Sequence, residues 1–254
     1  MNTTSSIPAP VSGSSFDRRA LIVLLLSVAG GSVDAVIIMG FHVLTAAQTG
    51  NTILLAVSLA QGRFMDGLYS AISVLGYVVG AAIGQSVIDR RSDSVSRRAR
   101  FDWALLLELI ALSMLLGSWR FAGHNPAAGM AAVLIGLAAV AMGIQSADAL
   151  RLHVGPKTTY VTGTLTTFAT KAVSGLHKPE RAPVVPESQD PTAVLWSNKG
   201  PLIYGVDWLL YAGGACLGGL LFLRLHETAL ALPIIAIFAA MIAGVSRRRD
   251  PSTV

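Results

Sequence analysis

Two isolated carboxylates interrupt long apolar stretches of the sequence. Asp34 follows Gly30-Gly31 within one stretch, and Glu108 lies among leucines in another. A carboxylate in apolar surroundings is costly unless it is protonated, paired or bound to a cation, and such residues commonly mark proton or ion pathways. Asp34 and Glu108 are therefore predicted to serve in proton coupling, and Asp34 is also predicted to bind the substrate or, alternatively, a cation. For each, the alternative is a structural role as a hydrogen-bond acceptor.

A Thr-Gly motif opens a short helical stretch at two places. The first is Thr49-Gly50-Asn51, preceded by Gln48, and the second is Thr162-Gly163-Thr164. A helix N-terminus exposes up to four unpaired N–H groups and about half a positive charge, which a threonine hydroxyl can cap and a glycine leaves accessible. We predict that both ends, together with the buried amide of Gln145, bind an anion or a carbonyl-bearing solute. The alternative is a pair of ordinary caps on helices at the membrane surface, with Gln145 linking two helices.

Residues that carry catalysis or bind metals form no recognisable motif in the sequence. The five histidines include no pair at i, i+4, and the single cysteine, Cys216, excludes an internal disulfide. The metalloprotease, P-loop, serine-hydrolase and dinucleotide-binding signatures are absent from the sequence. We therefore predict no catalytic residue, no metal and no cofactor, and a protein that is not an enzyme. An enzyme acting on lipid-linked substrates is the weaker alternative.

The composition places these residues in a membrane protein. Hydrophobic residues make up 53% of the 254 and charged residues only 13%, against about 25% charged residues in soluble domains. A helix of about 20 apolar residues crosses the hydrocarbon core. We predict an all-α integral membrane protein with six transmembrane helices and two shorter, half-spanning helices. The six spans are 20–41, 68–88, 103–122, 128–149, 202–223 and 228–245, and the half-helices are 51–61 and 163–174.

The distribution of lysine and arginine predicts the orientation. With six crossings and a cytoplasmic N-terminus, all but three of the 19 basic residues face the cytoplasm, the exceptions being Arg63, Arg120 and Arg224. This predicts a multi-pass protein of the bacterial inner membrane with both termini cytoplasmic. It also accounts for the net charge of +5 without a nucleic-acid partner. Arg18-Arg19 precedes an apolar stretch of spanning length, so we expect no cleaved signal peptide.

The chain divides into two membrane repeats with polar flanks. Residues 1–19 are predicted to form a disordered cytoplasmic tail and residues 246–254 a basic cytoplasmic tail. Repeat A spans 20–122 and repeat B spans 123–245. Repeat B contains the proline-rich segment 177–201, which is predicted to be a mobile cytoplasmic loop.

The order of a span, a short helix and two further spans occurs once in each repeat. An offset of 113 residues pairs Thr49 with Thr162 and Gly30 with Gly143. Because each repeat contains three spans, the second repeat enters the membrane from the opposite side. Such inverted repeats are typical of transporters, whose substrate sites lie near the midplane where interrupted helices meet.

Glycines recur at helical spacing in the second span of each repeat. Gly76, Gly80 and Gly84 form one stripe, and Gly214 and Gly218 form the other. Stripes of this kind let helix backbones approach closely in lipid. The first stripe is predicted either to pack inside the bundle or to form the contact of a homodimer.

Four motifs follow one another between residues 20 and 245. They are Gly31-x-x-Asp34, Thr49-Gly50-Asn51-Thr52, Gly143-x-Gln145-x-Ala147 and Thr159-x-Val161-Thr162-Gly163-Thr164-Leu165. Together they resemble the YoaK-like family of bacterial inner-membrane proteins. The resemblance implies a six-helix integral membrane protein and no particular activity, since none is established for that family as a class.

These features together predict a small-solute permease or secondary transporter. Its site would lie near the membrane midplane at the two Thr-Gly helix ends, and its partners would be the lipid bilayer and a small solute. One alternative is a channel-like facilitator without coupling. Another is a non-transport membrane scaffold or regulator, which the proline-rich loop 177–201 favours.

Overall fold

The computed structural model describes residues 18–89, 97–152, 161–176 and 202–245. Their regular structure consists of eight α-helices and one short 3₁₀ helix, His226–Leu230. The α-helices are α1 Arg18–Phe41, α2 Gln48–Ala60, α3 Phe64–Asp89, α4 Arg97–Ala122, α5 Ala128–Leu152, α6 Val161–Leu176, α7 Leu202–Leu225 and α8 Ala231–Val245. The loop 177–201 and both predicted tails, apart from the two arginines that begin α1, lie outside the described residues.

Five stretches of the described residues are long and apolar enough to cross a membrane. They are Ala20–Phe41, Phe64–Val87, Trp103–Ala122, Ala128–Leu150 and Leu202–Gly244. The last has 43 residues and contains both α7 and α8, because apolar residues continue through the 3₁₀ helix between them. The prediction of an all-α membrane protein is confirmed, and each predicted span coincides with one of the long helices or with α8.

Four helices surround the core. α1 and α4 each pack against both α5 and α8, so the four helices enclose a common interior. Fully buried aliphatic side chains from all four fill it, among them Leu26, Leu105, Leu112, Ile135, Met142 and Ile237. The remaining helices form an outer layer, in which α3 covers α5, α7 covers α1, α2 lies on α3 and α6 lies on α7.

The first glycine stripe forms the contact between α3 and α5. A Cβ atom on Gly80 would collide with the carbonyl oxygen of Val140, and one on Gly84 would lie 3.2 Å from the Cα atom of Ile144. Gly76 also faces α5, where a Cβ would lie 3.1 Å from a backbone carbonyl. The stripe of Gly76, Gly80 and Gly84 therefore packs within the chain, which is the first of the two predicted alternatives.

The second stripe brings α7 equally close to α1. A Cβ atom on Gly214 would collide with the carbonyl oxygen of Val28, and one on Gly218 would lie 2.8 Å from the Cα atom of Ser32. Each glycine thus meets backbone and not a movable side chain. Both close contacts depend on the missing Cβ atoms.

The close contacts also correct one predicted pairing. A Cβ atom on Gly143 would collide with the carbonyl oxygen of Tyr77, and one on Gly31 would collide with the carbonyl oxygen of Tyr211. Gly31 and Gly143 therefore face a tyrosine carbonyl in the same way, whereas Gly30, the predicted partner of Gly143, faces the side chains of Gln145 and Tyr211. Gly31 and Gly143 lie 112 residues apart, one fewer than the predicted offset.

Aromatic contacts fix the relative directions of the helices. The ring centroid of Trp119 lies 4.6 Å from that of Phe41 and 5.9 Å from that of Phe222, so α1, α4 and α7 end on the same side of the bundle. We call this side the aromatic end. The hydroxyl of Tyr69 donates to the carbonyl of Ala128 at 3.3 Å, so the start of α3 lies beside the start of α5. Because α5 follows α4 directly, α3 and α5 both begin at the aromatic end.

Candidate functional site

The chain turns back along α1 before α2 begins. The backbone amides of Thr45, Ala46 and Ala47 lie against the carboxylate of Asp34. Asp34 precedes the end of α1 by seven residues, or about 10 Å of helix. The segment after α1 therefore runs back from the aromatic end into the bundle.

α2 returns from this depth toward the aromatic end. Its first turn reaches Ser73 of α3 through Asn51, whereas its last turn packs near the start of α3, where a Cβ on Gly67 would lie 3.5 Å from Leu59. α2 and α3 thus form an antiparallel hairpin. The predicted half-helix 51–61 begins three residues earlier than expected, at Gln48, because Asp34 fixes the preceding turn by accepting from its amides.

Asp34 accepts five hydrogen bonds. Its Oδ1 accepts from the amide of Thr45 at 2.6 Å, from the Thr45 hydroxyl at 3.1 Å and from the amide of Ala46 at 2.7 Å. Its Oδ2 accepts from the amide of Ala47 at 3.1 Å and from the Tyr211 hydroxyl at 2.6 Å. The side chain is 3% exposed. Donors from the backbone and from Thr45 and Tyr211 thus occupy both carboxylate oxygens, so the geometry favours the structural alternative for Asp34.

Gln48 and Asn51 stabilise the turn before α2 and its contact with α3. The side-chain oxygen Oδ1 of Asn51 accepts from the amide of Leu44 at 2.9 Å. Its Nδ2 donates to the backbone carbonyl of Leu44 and to the Ser73 hydroxyl. Nε2 of Gln48 donates to the carbonyl of Thr45 at 2.7 Å. Asn51 therefore satisfies a peptide group that would otherwise be unpaired away from water. Both amides are engaged within the protein.

Thr49 and Gly50 lie in the first turn of α2 and not at its cap. Ala47 occupies the N-cap position without a side-chain hydrogen bond, and Asp34 of α1 accepts from the amide of Ala47 itself and from the two amides before it. The Thr49 side chain is exposed, and a Cβ on Gly50 would meet the end of the Leu44 side chain. The prediction that Thr49 caps α2 is wrong, because Thr49 is the second residue of the helix and Ala47 is its N-cap.

The second Thr-Gly motif lies in the first turn of α6. Thr162 is exposed, Gly163 is half-buried and Thr164 is buried. Thr162 is the second residue of α6 and therefore does not cap it either. Residues 153–160, which precede the helix, lie outside the described residues, as does the side chain of Arg151.

α6 packs along the first part of α7. A Cβ on Gly205 would lie 3.0 Å from the ring of Phe168, and the ammonium group of Lys171 lies 4.9 Å from the centre of the Tyr204 ring. Tyr211, whose hydroxyl donates to Asp34 of α1, lies about 9 Å further along α7 than Gly205. α7 therefore contacts α6 along its first part and α1 further along.

Two more polar groups join helices in the interior. Gln145 donates from Nε2 to the carbonyl of Leu26 at 2.6 Å, so it links α5 to α1. The Ser27 hydroxyl donates to Oδ1 of Asp207 at 2.5 Å, which links α1 to α7. Glu108 is fully buried, and neither of its oxygens has a hydrogen-bond partner. No described hydrogen bond connects Glu108 with Asp34.

The sequence reasoning missed Tyr211 and Ser73. A signal for Tyr211 was present, because Tyr77 and Tyr211 each precede a stripe glycine, Gly80 or Gly214, by three residues. Aligning the stripes would have singled out the tyrosine pair. Ser73 offers no such signal, since a lone serine in an apolar helix usually bonds to its own backbone.

Comparison with known proteins places the chain in a family. The model of a family described as a protein of unknown function (DUF1275) matches residues 22–243. The chain belongs to this family. This member of DUF1275 is also 28% identical over 149 residues to the UPF0700 transmembrane protein YoaK of Bacillus subtilis (strain 168). That match covers 58% of the chain and 64% of the relative, which is less than two thirds of its length. No solved structure matches the chain.

Proposed function

We propose that this membrane protein is a small-solute permease or secondary transporter built from two inverted halves, α1–α4 and α5–α8. The observation that carries the proposal is the packing pattern. Exchanging the two halves converts the α1–α7 contact into α5–α3, the α4–α5 contact into α8–α1 and the α2–α3 contact into α6–α7, and all of these contacts occur. Such exchange symmetry favours an internal repeat over chance similarity between small-residue helices.

The backbone contacts support the same exchange in detail. Gly80 faces the carbonyl of Val140, and Gly214 faces the carbonyl of Val28 in the same way. In both places the valine carbonyl leaves no room for a Cβ atom. α1 ends at the aromatic end, whereas its counterpart α5 begins there, so the halves run in opposite directions. Inverted halves support alternating access, because one half can adopt the conformation of the other with the opposite side open.

The helix directions support six crossings. Since α1 ends and α3 begins at the aromatic end, α2 enters and leaves on that side and does not cross. Arg63, Arg120 and Arg224 lie at or near the starts and ends of helices on this side. Under the positive-inside rule the aromatic end faces outward, and both termini face the cytoplasm of a bacterial cell.

The two Thr-Gly ends differ in how they would serve a solute. The amides before α2 are occupied by Asp34. The residue of α5 equivalent to Asp34 is Ser146, 112 residues later, whose hydroxyl donates to the carbonyl of Met142 and carries no charge. We therefore propose that the solute binds at the N-terminus of α6, beside Thr162, Gly163 and Thr164. The hairpin of α2 and α3, which Asp34 holds in place, is the corresponding element of the other half.

The filled interior favours a carrier over a channel. Fully buried leucine, isoleucine and methionine side chains occupy the space between α1, α4, α5 and α8. A carrier in one of its end states closes its pathway in this way, whereas an open facilitator keeps a continuous wet path. Saturable flux that accelerates when solute is present on the opposite side would distinguish the carrier.

Reconstitution into proteoliposomes tests the proposal. We expect counterflow of at least one member of a panel of labelled carboxylates, phosphates, amino acids and sugars. Gly163→Leu should abolish it, because a bulky side chain would occupy the N-terminus of α6, while the exposed variant Thr170→Val should retain it. Flux no greater than that of protein-free liposomes for every solute contradicts the proposal.

A further inference from the structure

A single acidic residue interrupts the buried stripe of α4. Leu105, Glu108, Leu112, Leu115 and Trp119 follow one another at alternating spacings of three and four, and each is at most 2% exposed. This spacing places them on one face of the helix. Since α4 packs against α5 and α8, the face lies toward the four-helix interior. Glu108 therefore sits in the core, with both oxygens lacking any hydrogen-bond donor.

An unpartnered oxygen of α5 belongs to the same interior. Gln145 is fully buried, and while its Nε2 bonds to α1, its Oε1 has no hydrogen-bond partner. Asp148 follows one turn later on the same side of α5, is also buried, and lies within electrostatic range of Glu108. Glu108 and Gln145 thus carry unpartnered oxygens on two helices in contact, in a region where each unsatisfied polar group costs several kcal/mol.

We propose that Glu108, Gln145 and Asp148 bind a monovalent metal cation of the sodium type between α4 and α5. Carboxylate and amide oxygens are the ligands that hard cations prefer. The basic residues whose side chains are described are Arg63, Arg120, Lys171 and Arg224, and none of them belongs to the buried interior. A bound cation neutralises the carboxylate of Glu108, whose two oxygens have no hydrogen-bond partner.

A metal ion explains more of the geometry than a proton does. Protonation neutralises Glu108 but leaves Oε1 of Gln145 without a partner, because an amide oxygen does not titrate near neutral pH. A cation coordinates the amide oxygen and the carboxylates together. The site would supply a coupling ion for the proposed transporter, but binding is measured without any solute, so either proposal can fail while the other stands.

Thermal unfolding of the purified full-length protein in detergent tests the site. NaCl replaces choline chloride at constant total salt, and the fluorescence of the tryptophans, including buried Trp119, reports unfolding. A specific site raises Tm with the logarithm of the sodium concentration above Kd, by about 5 to 10 °C at one hundred times Kd. Equilibrium binding of ²²Na⁺ to the same protein gives an independent readout that does not depend on the stability of a variant.

The variants Glu108→Gln and Gln145→Leu should abolish both the sodium-dependent shift and the ²²Na⁺ binding. Asp66→Asn, which changes an exposed carboxylate, should retain both. Equal Tm values in sodium and choline, with no bound ²²Na⁺, would overturn the proposal. So would sodium binding that survives in Glu108→Gln, or a Tm that responds to pH alone.

Discussion

Asp34 shows how one side chain can hold three parts of the chain together. It lies in α1, accepts from three amides that precede α2, and accepts from Tyr211, which is 177 positions away in sequence. An embedded acid is by default a candidate for ion or proton transfer. Here the donors around it account for the charge without a moving proton, so its first task is to fix the α2 hairpin.

Asp34→Asn should destabilise the protein more than an exposed substitution does. The amide offers one acceptor oxygen in place of two and turns an NH₂ group toward donors, so at least two buried donors lose their partner. At about 1–3 kcal/mol for each, we expect a loss of roughly 2–5 kcal/mol. Thermal unfolding in detergent measures the loss. Asp66→Asn, at an exposed ion pair, should change stability by less than about 1 kcal/mol.

Tyr211→Phe removes one donor and leaves the backbone amides in place. We expect a loss of roughly 1.5–3 kcal/mol, the usual contribution of a hydrogen bond to a charged group. In Asp34→Asn this contribution should shrink, so the double variant should be less destabilised than the sum of the two single variants. Strict additivity would show that Tyr211 does not act through Asp34.

At the scale of elements, two helix pairs depend on missing Cβ atoms. α3 lies on α5 and α7 lies on α1 so closely that stripe glycines face backbone carbonyls. Without a hydrophobic force between helices in lipid, close van der Waals contact of this kind is a main source of association. The stripes are therefore structural in origin, and their likeness in the two halves is a consequence of shared packing.

Two adjacent glycines of α7 provide a matched test of this contact. A methyl group on Gly214 would collide with the carbonyl of Val28, whereas one on Gly213 meets no atom within 4 Å. Gly214→Ala should cost about 1–3 kcal/mol through overpacking. Gly213→Ala should be neutral or stabilise by up to about 1 kcal/mol, because alanine favours the helix. Equal effects of the two changes on Tm would contradict the packing.

At the scale of the whole molecule, both ends of α2 lie on the side where α1 ends. In the proposed topology the hairpin adds no crossing, and the six remaining α-helices alternate in direction along the chain. This direction pattern, together with the exchange symmetry of the contacts, is what makes two inverted halves the simplest description. An eight-crossing arrangement would set α1 and α4 in opposite directions, against the contact between Phe41 and Trp119.

Labelling from one side of the membrane tests the whole topology. In a Cys216→Ser background, cysteines are placed at the exposed residues His42 and Gln61, which flank α2. Both should react with a membrane-impermeant maleimide added outside intact cells, because the two positions share the outer side. If only one reacts until the membrane is opened, α2 crosses the bilayer and the six-crossing proposal fails.

The apolar runs alone determine the long helices, because a stretch of about 20 apolar residues is a local property that the bilayer selects directly. The existence of two short helices was also readable, since their length excludes an ordinary crossing. The contact of Gly31 with the carbonyl of Tyr211, the hydrogen bonds that Asp34 accepts before α2 and the role of the Tyr211 hydroxyl were decided by tertiary structure. Each of these depends on which distant backbone or side chain a residue meets, and no local pattern of hydrophobicity or spacing carries that information.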